Sequence, residues 1–402
     1  VNGVFENKFF TGDINCQDPN LEFIFNGEID FTNEVPKMAF DANIFHADLI
    51  KLNLAKGKGF SSLATRIGIS AVLDPNDPSG SLSLEDLSYC DDSEQYDLGN
   101  AFFETQTLNN GKRFTLHSNI AHASVEGVYN AQEIKGAFRS IFYSVFPALE
   151  SEVQYDQADQ IFDFEIEMGE SDRFFELLLP DLRVAPGSKA TGHLNTRTFD
   201  LEFDAYSVGV SWKGREVSGL SMALHQTMEV LAASISAQKV ELNDSLFVED
   251  LLVTSKGYQD EFDALIDWSG SGLGANGRLD IQGAVHGPNH VDIDLLPSQF
   301  EIRDQHWMTA DPSSVRIDHS EIEVDGLEIT NGRERLLVEG SISRNPNKSL
   351  KLIFEDLHLD NLNVLLQNSG MNIHGVLEGE ASVSSLYETP LLLSYLCVDS
   401  LG

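Results

Sequence analysis

Hydrophobic residues occupy every second position through most of this chain. Between Leu21 and Phe31 the apolar set is Leu21, Phe23, Phe25, Ile29 and Phe31, while Glu22, Asn26, Glu28 and Asp30 take most of the other face. A period of two marks a strand with one dry and one wet face. The alternation returns with Phe162, Phe164, Ile166 and Met168 set against Asp163, Glu165 and Glu167. It returns again with Phe199, Leu201 and Phe203, with Val291, Ile293 and Leu295, and with Leu350, Leu352 and Phe354. Turn-forming clusters (DPNDPSG, LNNGKR, ITNGRER, RNPNKS) separate these runs, as hairpins require.

One feature breaks the pattern repeatedly. Gly27 stands on the dry face, where a glycine packs nothing and weakens a strand. The same apolar-x-Gly-x-apolar arrangement recurs at Gly127, Gly192, Gly283, Gly340, Gly375 and Gly379. The spacing is irregular, so no fixed-period solenoid is implied. A glycine there lets a sheet bend sharply or lets something lie close to the backbone. The recurrence points to a sheet curled around its apolar side.

Helix signals are few. Asn130 to Phe146 has a capping residue in Asn130, Glu133 at the capping-box position, and an apolar stripe of Ile134, Phe138, Ile141, Phe142 and Val145, closed by Pro147. Short helices are expected near 172–180 and 360–370. The expected organisation is a β module over 1–150 ending in a helix at about 130–146, and a second over 151–402, both parts of one continuous sheet.

Composition narrows the partners. The chain has 402 residues, 42% of them hydrophobic, and Lys+Arg of 26 against Asp+Glu of 64 give a formal charge of -38. Nucleic acid binding needs a basic footprint, and none is present. The acidity is spread along the chain and reads as a solvated outer surface. Cys16, Cys90 and Cys397 are too scattered for a disulfide framework or a CxxC metal site. No apolar run reaches the roughly 18 residues of a membrane span. The chain opens on Val1 without a signal peptide and is expected to be an internal fragment of a longer protein.

Catalytic motifs fail on context. Gly272-Leu273-Gly274-Ala275-Asn276-Gly277 is a literal GxGxxG, with Asp292 twenty residues after its first glycine. A dinucleotide site needs a helix directly after the glycines, and a strand-like segment follows instead. His286 and His290, near Asp292, read as a surface turn, because the Gly-Pro between them forbids helical alignment of the imidazoles. His117 and His122, five apart in strand-like sequence, are expected on opposite faces. Asp91 and Asp92 are adjacent loop residues. No catalytic residue, metal site or cofactor site is expected, and the chain reads as a non-enzyme.

These elements, in this order, resemble the translocation and assembly module (TamB) family of the wider AsmA-like group, in its Bacteroidota-type form. FNGEIDFTNEVPKMAFDANIFHADLIKLNL resembles that family's strand, Pro turn and ADL..LNL sequence; LSLEDLSYCDD and VEGVYNAQEIKGAFRSIFYSVFPAL resemble its next module. The portion from Leu295 to Pro390 follows the family's order of elements throughout. The resemblance implies a mostly β fold: a long curved sheet, open along one side like a taco, with a solenoid-like apolar groove and few interrupting helices. It further implies a lipid conduit that moves phospholipid between inner and outer membranes and supports outer-membrane biogenesis, protein assembly and secretion. The implied partners are phospholipid acyl chains and an Omp85-type outer-membrane protein. The implied place is the periplasm of a Gram-negative bacterium, as part of an inner-membrane-anchored protein whose anchor lies outside this chain. The expected groove residues are Phe23, Phe25, Ile29, Phe31, Phe162, Phe164, Ile166, Leu201, Phe203, Ile293, Leu295, Leu352 and Phe354. The alternative is a structural β-solenoid or adhesin-like surface protein with a closed core. The 25 Phe favour a wide interior, since narrow solenoids fill theirs with Val, Ile and Leu.

Overall fold

A computed structural model describes residues 1–402 except 57–58, 75–77, 151–158, 243–246, 272–275, 303–304, 310, 364–372, 388 and 400–402. The fold is mostly β, as the alternation predicts: the described residues form 27 strands joined edge to edge in one antiparallel sheet, with two short α-helices. The chain forms two compact units. Unit 1 is 1–138, 157–197 and 203–214; unit 2 is 139–156, 198–202 and 215–402.

Unit 1 holds β1 (Asn2–Glu6), β2 (Phe9–Asp18), β3 (Leu21–Asp30), β4 (Lys37–Asp48), β5 (Ser61–Val72), β6 (Ser79–Asp91), β7 (Gln95–Leu108), β8 (Gly111–Ser118) and β9 (Ala121–Val128). It continues with β10 (Ile161–Met168), α2 (Asp172–Leu178), β11 (Leu182–Val184), β12 (Lys189–Asn195) and most of β13 (Asp200–Trp212). Each strand from β1 to β9 pairs with the next, several of them across tight turns; Asn109 and Asn110, for example, link Leu108 to its partner Gly111. β9 then pairs with β10, Gly127 facing Phe162 and Val125 facing Phe164.

Unit 2 holds β14 (Arg215–Gln226), β15 (Leu231–Glu241), β16 (Phe247–Tyr258), β17 (Glu261–Ser271), β18 (Gly277–Gly287), β19 (His290–Leu295), β20 (Gln299–Ile302) and β21 (Gln305–Thr309). β22 (Ser313–Asp318), β23 (Glu321–Thr330), β24 (Arg335–Ile342), β25 (Ser349–His358), β26 (Val376–Ser384) and β27 (Leu391–Asp399) complete it. The meander is interrupted where β19 pairs with β22, leaving β20 and β21 as an inserted hairpin beside β18 and β23.

The helix expected at 130–146 is α1, Ile134–Val145. It begins late because Asn130 builds a turn of its own: its Oδ1 accepts the Gln132 N–H at 3.0 Å, and its carbonyl accepts the Glu133 N–H at 3.0 Å. Pro147 closes α1 and opens a 3-10 turn, Pro147–Leu149. α2 matches the helix expected near 172–180. Of the helix expected at 360–370, a 3-10 turn at Leu359–Leu362 is seen, and 364–370 lies outside the described residues. The first four residues of the GxGxxG motif also lie outside them, and Gly277 opens β18, so a strand follows the glycines.

Candidate functional site

Strand register turns the alternation into two faces. In unit 1, directly paired residues run Gly12, Gly27, Phe40, Ile69, Leu82, Phe103, Leu116, Ala123, Ile166 and Ala190, from β2 to β10 and on to β12. Every member is apolar or glycine. One residue along each strand, the opposite face reads Asp13, Asn26, Asp41, Gly68, Ser83, Phe102, His117, His122, Glu167 and Lys189. In unit 2, a row on the apolar face runs Leu231, Gly257, Phe262, Gly283, Ile293, Val315, Val324, Gly340, Leu350, Val383 and Leu392.

This face is only partly covered. Phe25, Phe162, Leu194 and Leu201 are buried, but Ile69, Leu82, Phe103, Leu116, Ile293, Val315 and Leu350 are half-buried. A filled two-layer core would bury the large apolar residues almost completely.

The sequence-predicted residues fall on this face with two qualifications. Phe23 pairs with Cys16 and Ile44, Phe25 with Ile14 and Ala42, and Ile29 with Phe10 and Met38. Phe162 pairs with Gly127 and Leu194, and Phe164 with Val125 and Gly192. Phe203 lies beside Phe164, with ring centroids 6.4 Å apart and the planes tilted by 33°. Leu295 pairs with Ile281 and Ser313, Leu352 with Val338 and Ala381, and Phe354 with Leu336 and Gly379. Phe31, however, lies past the end of β3 and is 46% exposed; Ile166 keeps its register but is 38% exposed.

Four of the dry-face glycines, Gly27, Gly127, Gly340 and Gly379, mark backbone crowding rather than space for a ligand. A Cβ on Gly27, at φ +147°, would stand 2.4 Å from the Ala39 carbonyl oxygen and 2.4 Å from the Phe40 Cα. A Cβ on Gly127 would stand 2.1 Å from the Ile161 carbonyl oxygen. The adjacent strand's backbone already fills the position, the signature of a kink that bends a sheet toward that face.

Two groups in unit 2 pack on the apolar face. Gln226, which pairs with Leu231, donates from Nε2 to the Ile141 carbonyl and, at 3.2 Å, to Ser144 Oγ. The Val145 carbonyl accepts the Asp260 N–H at 3.0 Å, and the Phe146 ring fills the space over Gly257. At the opposite strand ends, Trp307, Leu357, Leu359 and Leu377 form a buried cluster. The buried carboxylate of Glu334 ties the neighbouring turn together, accepting the His358 N–H at 2.8 Å and Asn361 Nδ2 at 2.9 Å. Sequence reasoning missed these packing partners, because each depends on residues distant in the chain. It also missed Lys112, a buried residue that pairs with Gly127 on the apolar face, its ammonium 5.0 Å from the Tyr129 ring centroid.

The outer face is a field of paired charges. Arg113 meets Glu126 at 2.7 Å, Arg316 meets Asp292 at 3.2 Å and Lys351 meets Glu380 at 2.9 Å. The Glu165 carboxylate, 2.5 Å away, holds the Lys189 ammonium above its ordinary pKa. Such exposed pairs add little to stability and mainly keep this face wet.

The chain matches no protein-family model, no curated protein and no solved structure.

One histidine expectation needs correction, and the surface turn expected at His286 and His290 is seen. His117 and His122 share the outer face, because the turn at 119–120 puts them on neighbouring strands as direct partners. His286 and His290 do meet at one carboxylate, with Asp292 Oδ2 3.1 Å from His286 Nε2 and Oδ1 3.8 Å from His290 Nε2. The β18–β19 hairpin brings them together, with no helix needed. Among the described residues, no group of three or more His, Cys, Asp or Glu side chains is disposed to hold a metal ion.

Proposed function

We propose that this chain is part of a non-enzymatic lipid conduit, with phospholipid acyl chains lying along the apolar face and head groups kept in water. The observation that carries the proposal is the unbroken apolar row in each unit, lined by large side chains that remain half-buried. Exposed contiguous apolar surface on this scale marks a binding site. Acyl chains suit it, because they need no directed hydrogen bonds and the face offers few. Resemblance to the translocation and assembly module family supplies the context. That context is a periplasmic segment of an inner-membrane-anchored protein in a Gram-negative bacterium, moving phospholipid toward the outer membrane and working with an Omp85-type partner in outer-membrane biogenesis and protein assembly or secretion.

The test is site-specific photo-crosslinking in cells carrying the full-length protein. Crosslinkers at Phe25, Phe164, Ile293 and Leu352 are expected to capture phospholipid, and those at Glu22, Glu28, Glu165 and Glu202 are not. Equal capture on both faces, or none on the apolar face, rejects the conduit and favours the closed structural solenoid.

A further inference from the structure

We propose that His117 and His122 form a two-imidazole chelate for a divalent late first-row transition metal ion on the outer face of unit 1. The two are direct partners across β8 and β9, both exposed, with Nδ1 atoms 3.3 Å apart. Two imidazole nitrogens bound to one tetrahedral ion, each about 2.05 Å from it, stand about 3.3–3.4 Å apart. The spacing therefore matches a shared ion, which would replace the hydrogen bond that now joins the two rings.

The surroundings favour a cation. Glu167 is the next residue in the row beyond His122, so a carboxylate stands one strand away from the imidazoles. The formal charge of -38 raises the local concentration of cations. The pair is also held in place before any ion arrives. Ser118 Oγ accepts the Ala121 N–H at 3.0 Å and donates to the Ala121 carbonyl at 2.9 Å, closing the turn that joins the two strands. A pre-ordered pair loses little freedom on binding. Imidazole donors suit copper, nickel and zinc, with copper the tightest, and do not suit magnesium or calcium. Water completes the coordination shell at this exposed site. The ion would tie β8 to β9 from outside, independently of whatever occupies the apolar face.

The experiment is titration of the full chain, free of any histidine tag, with CuCl2, NiCl2, ZnCl2 and MgCl2 by calorimetry, with electron paramagnetic resonance of the Cu(II) form. Saturable binding is expected for copper, nickel and zinc and not for magnesium, with nitrogen hyperfine structure from two imidazoles. H117A and H122A should each weaken this site by more than about tenfold, with unchanged circular dichroism. H193A, which removes an exposed imidazole paired with Asp163 at 2.8 Å, and H286A should leave the site intact. Metal should also raise the melting temperature of the wild type and not of H117A, since a ligand of the folded state alone stabilises it. Absence of saturable binding at millimolar metal overturns the proposal, as does binding unchanged in the H117A/H122A double variant. In either case the pair is only a hydrogen-bonded couple.

Discussion

Replacing Gly27 by alanine tests whether the dry-face glycines exist to let strands approach. The added methyl would meet backbone on the neighbouring strand, with the Ala39 oxygen and the Phe40 Cα each 2.4 Å away. Neither atom can yield without opening the β3–β4 ladder, where Gly27 and Phe40 are direct partners. Overpacking of this kind costs about 1–3 kcal/mol. The φ of +147° adds backbone strain for any L-residue, about 1–3 kcal/mol for a sparsely populated conformation. Together these give about 2–6 kcal/mol, a large share of the 5–15 kcal/mol that about spans domain stability. In a unit of this size, at about 2–4 °C per kcal/mol, the melting temperature should fall by about 4–24 °C. Gly209 is the control: its nearest atom to an added Cβ is the Ala185 Cβ at 4.0 Å, and its φ is unexceptional. Gly209→Ala should change stability by no more than about 0.5 kcal/mol. Calorimetry, with hydrogen exchange at β3 and β4 to localise the effect, reads both variants. A Gly27→Ala protein that melts within about 1 °C of wild type refutes the crowding argument and with it the bend assigned to these glycines.

Other outcomes follow from the same geometry. The Asp48 carboxylate is held below its ordinary pKa, first by the Lys51 backbone N–H, which it accepts at 3.0 Å. The unfolded chain takes up that proton first, so the stability Asp48 contributes is present above about pH 4 and lost as pH falls through the lowered value; the gap in melting temperature between wild type and Asp48→Asn should shrink from neutral to acid pH, and a constant gap would contradict the assignment. Glu334→Ala strands the His358 N–H and the Asn361 amide, costing about 3 kcal/mol, and should speed hydrogen exchange at the end of β25; unaltered exchange there would show that the carboxylate is not the tie. In cells, Phe203→Arg or Ile293→Asp should abolish support of outer-membrane integrity while Glu202→Arg is tolerated. Protein level and protease resistance exclude simple unfolding, and folded, abundant inward variants that still work would remove the groove from the mechanism.

Strand existence, the dry face and the turns were legible because each depends on residues adjacent in sequence. Side-chain alternation is local, so Phe23, Phe25 and Ile29 announced their face without knowledge of their partners. What was illegible depends on pairing between strands. His117 and His122 are an odd number of residues apart, which on one strand means opposite faces. Across a hairpin with direct pairing, the same count brings them together. Gly12 was not singled out, although it faces Gly27 at φ +144°. Its neighbours Phe10 and Ile14 lie on the apolar face, but Phe9 and Thr11 blur the local pattern. Lys112 looked like part of a polar turn, and only its register opposite Gly127 places it on the apolar face. Ile166 shows the converse limit: alternation assigns a face but cannot say how well neighbours cover it. Its partners Ala123 and Ala190 are small and leave it open.

The length of the apolar row bears on whether it serves one lipid or many. In unit 1 the row runs from β2 through β10 to β12 by direct pairing. At about 4.8 Å per strand that path is roughly 45 Å along the sheet. One leaflet of a bilayer, the depth of a single acyl layer, is about 15 Å. A pocket built for one lipid would need only three or four strands, with polar residues closing its ends. Here no charged residue breaks the row: Phe40, Ile69, Leu82, Phe103 and Leu116 follow one another across β4 to β8. A protein helix laid along such a path would bring polar side chains and chain ends that the face does not pair. Acyl chains impose neither demand, and desolvating a charge against them would be costly wherever the row was broken. A continuous row several lipids long is therefore more economically explained by lipids in file than by a single bound molecule. On the proposed conduit reading, a charge placed inside this row, between Phe40 and Leu116, would interrupt the path, whereas the native Lys112 lies on the same face outside the row.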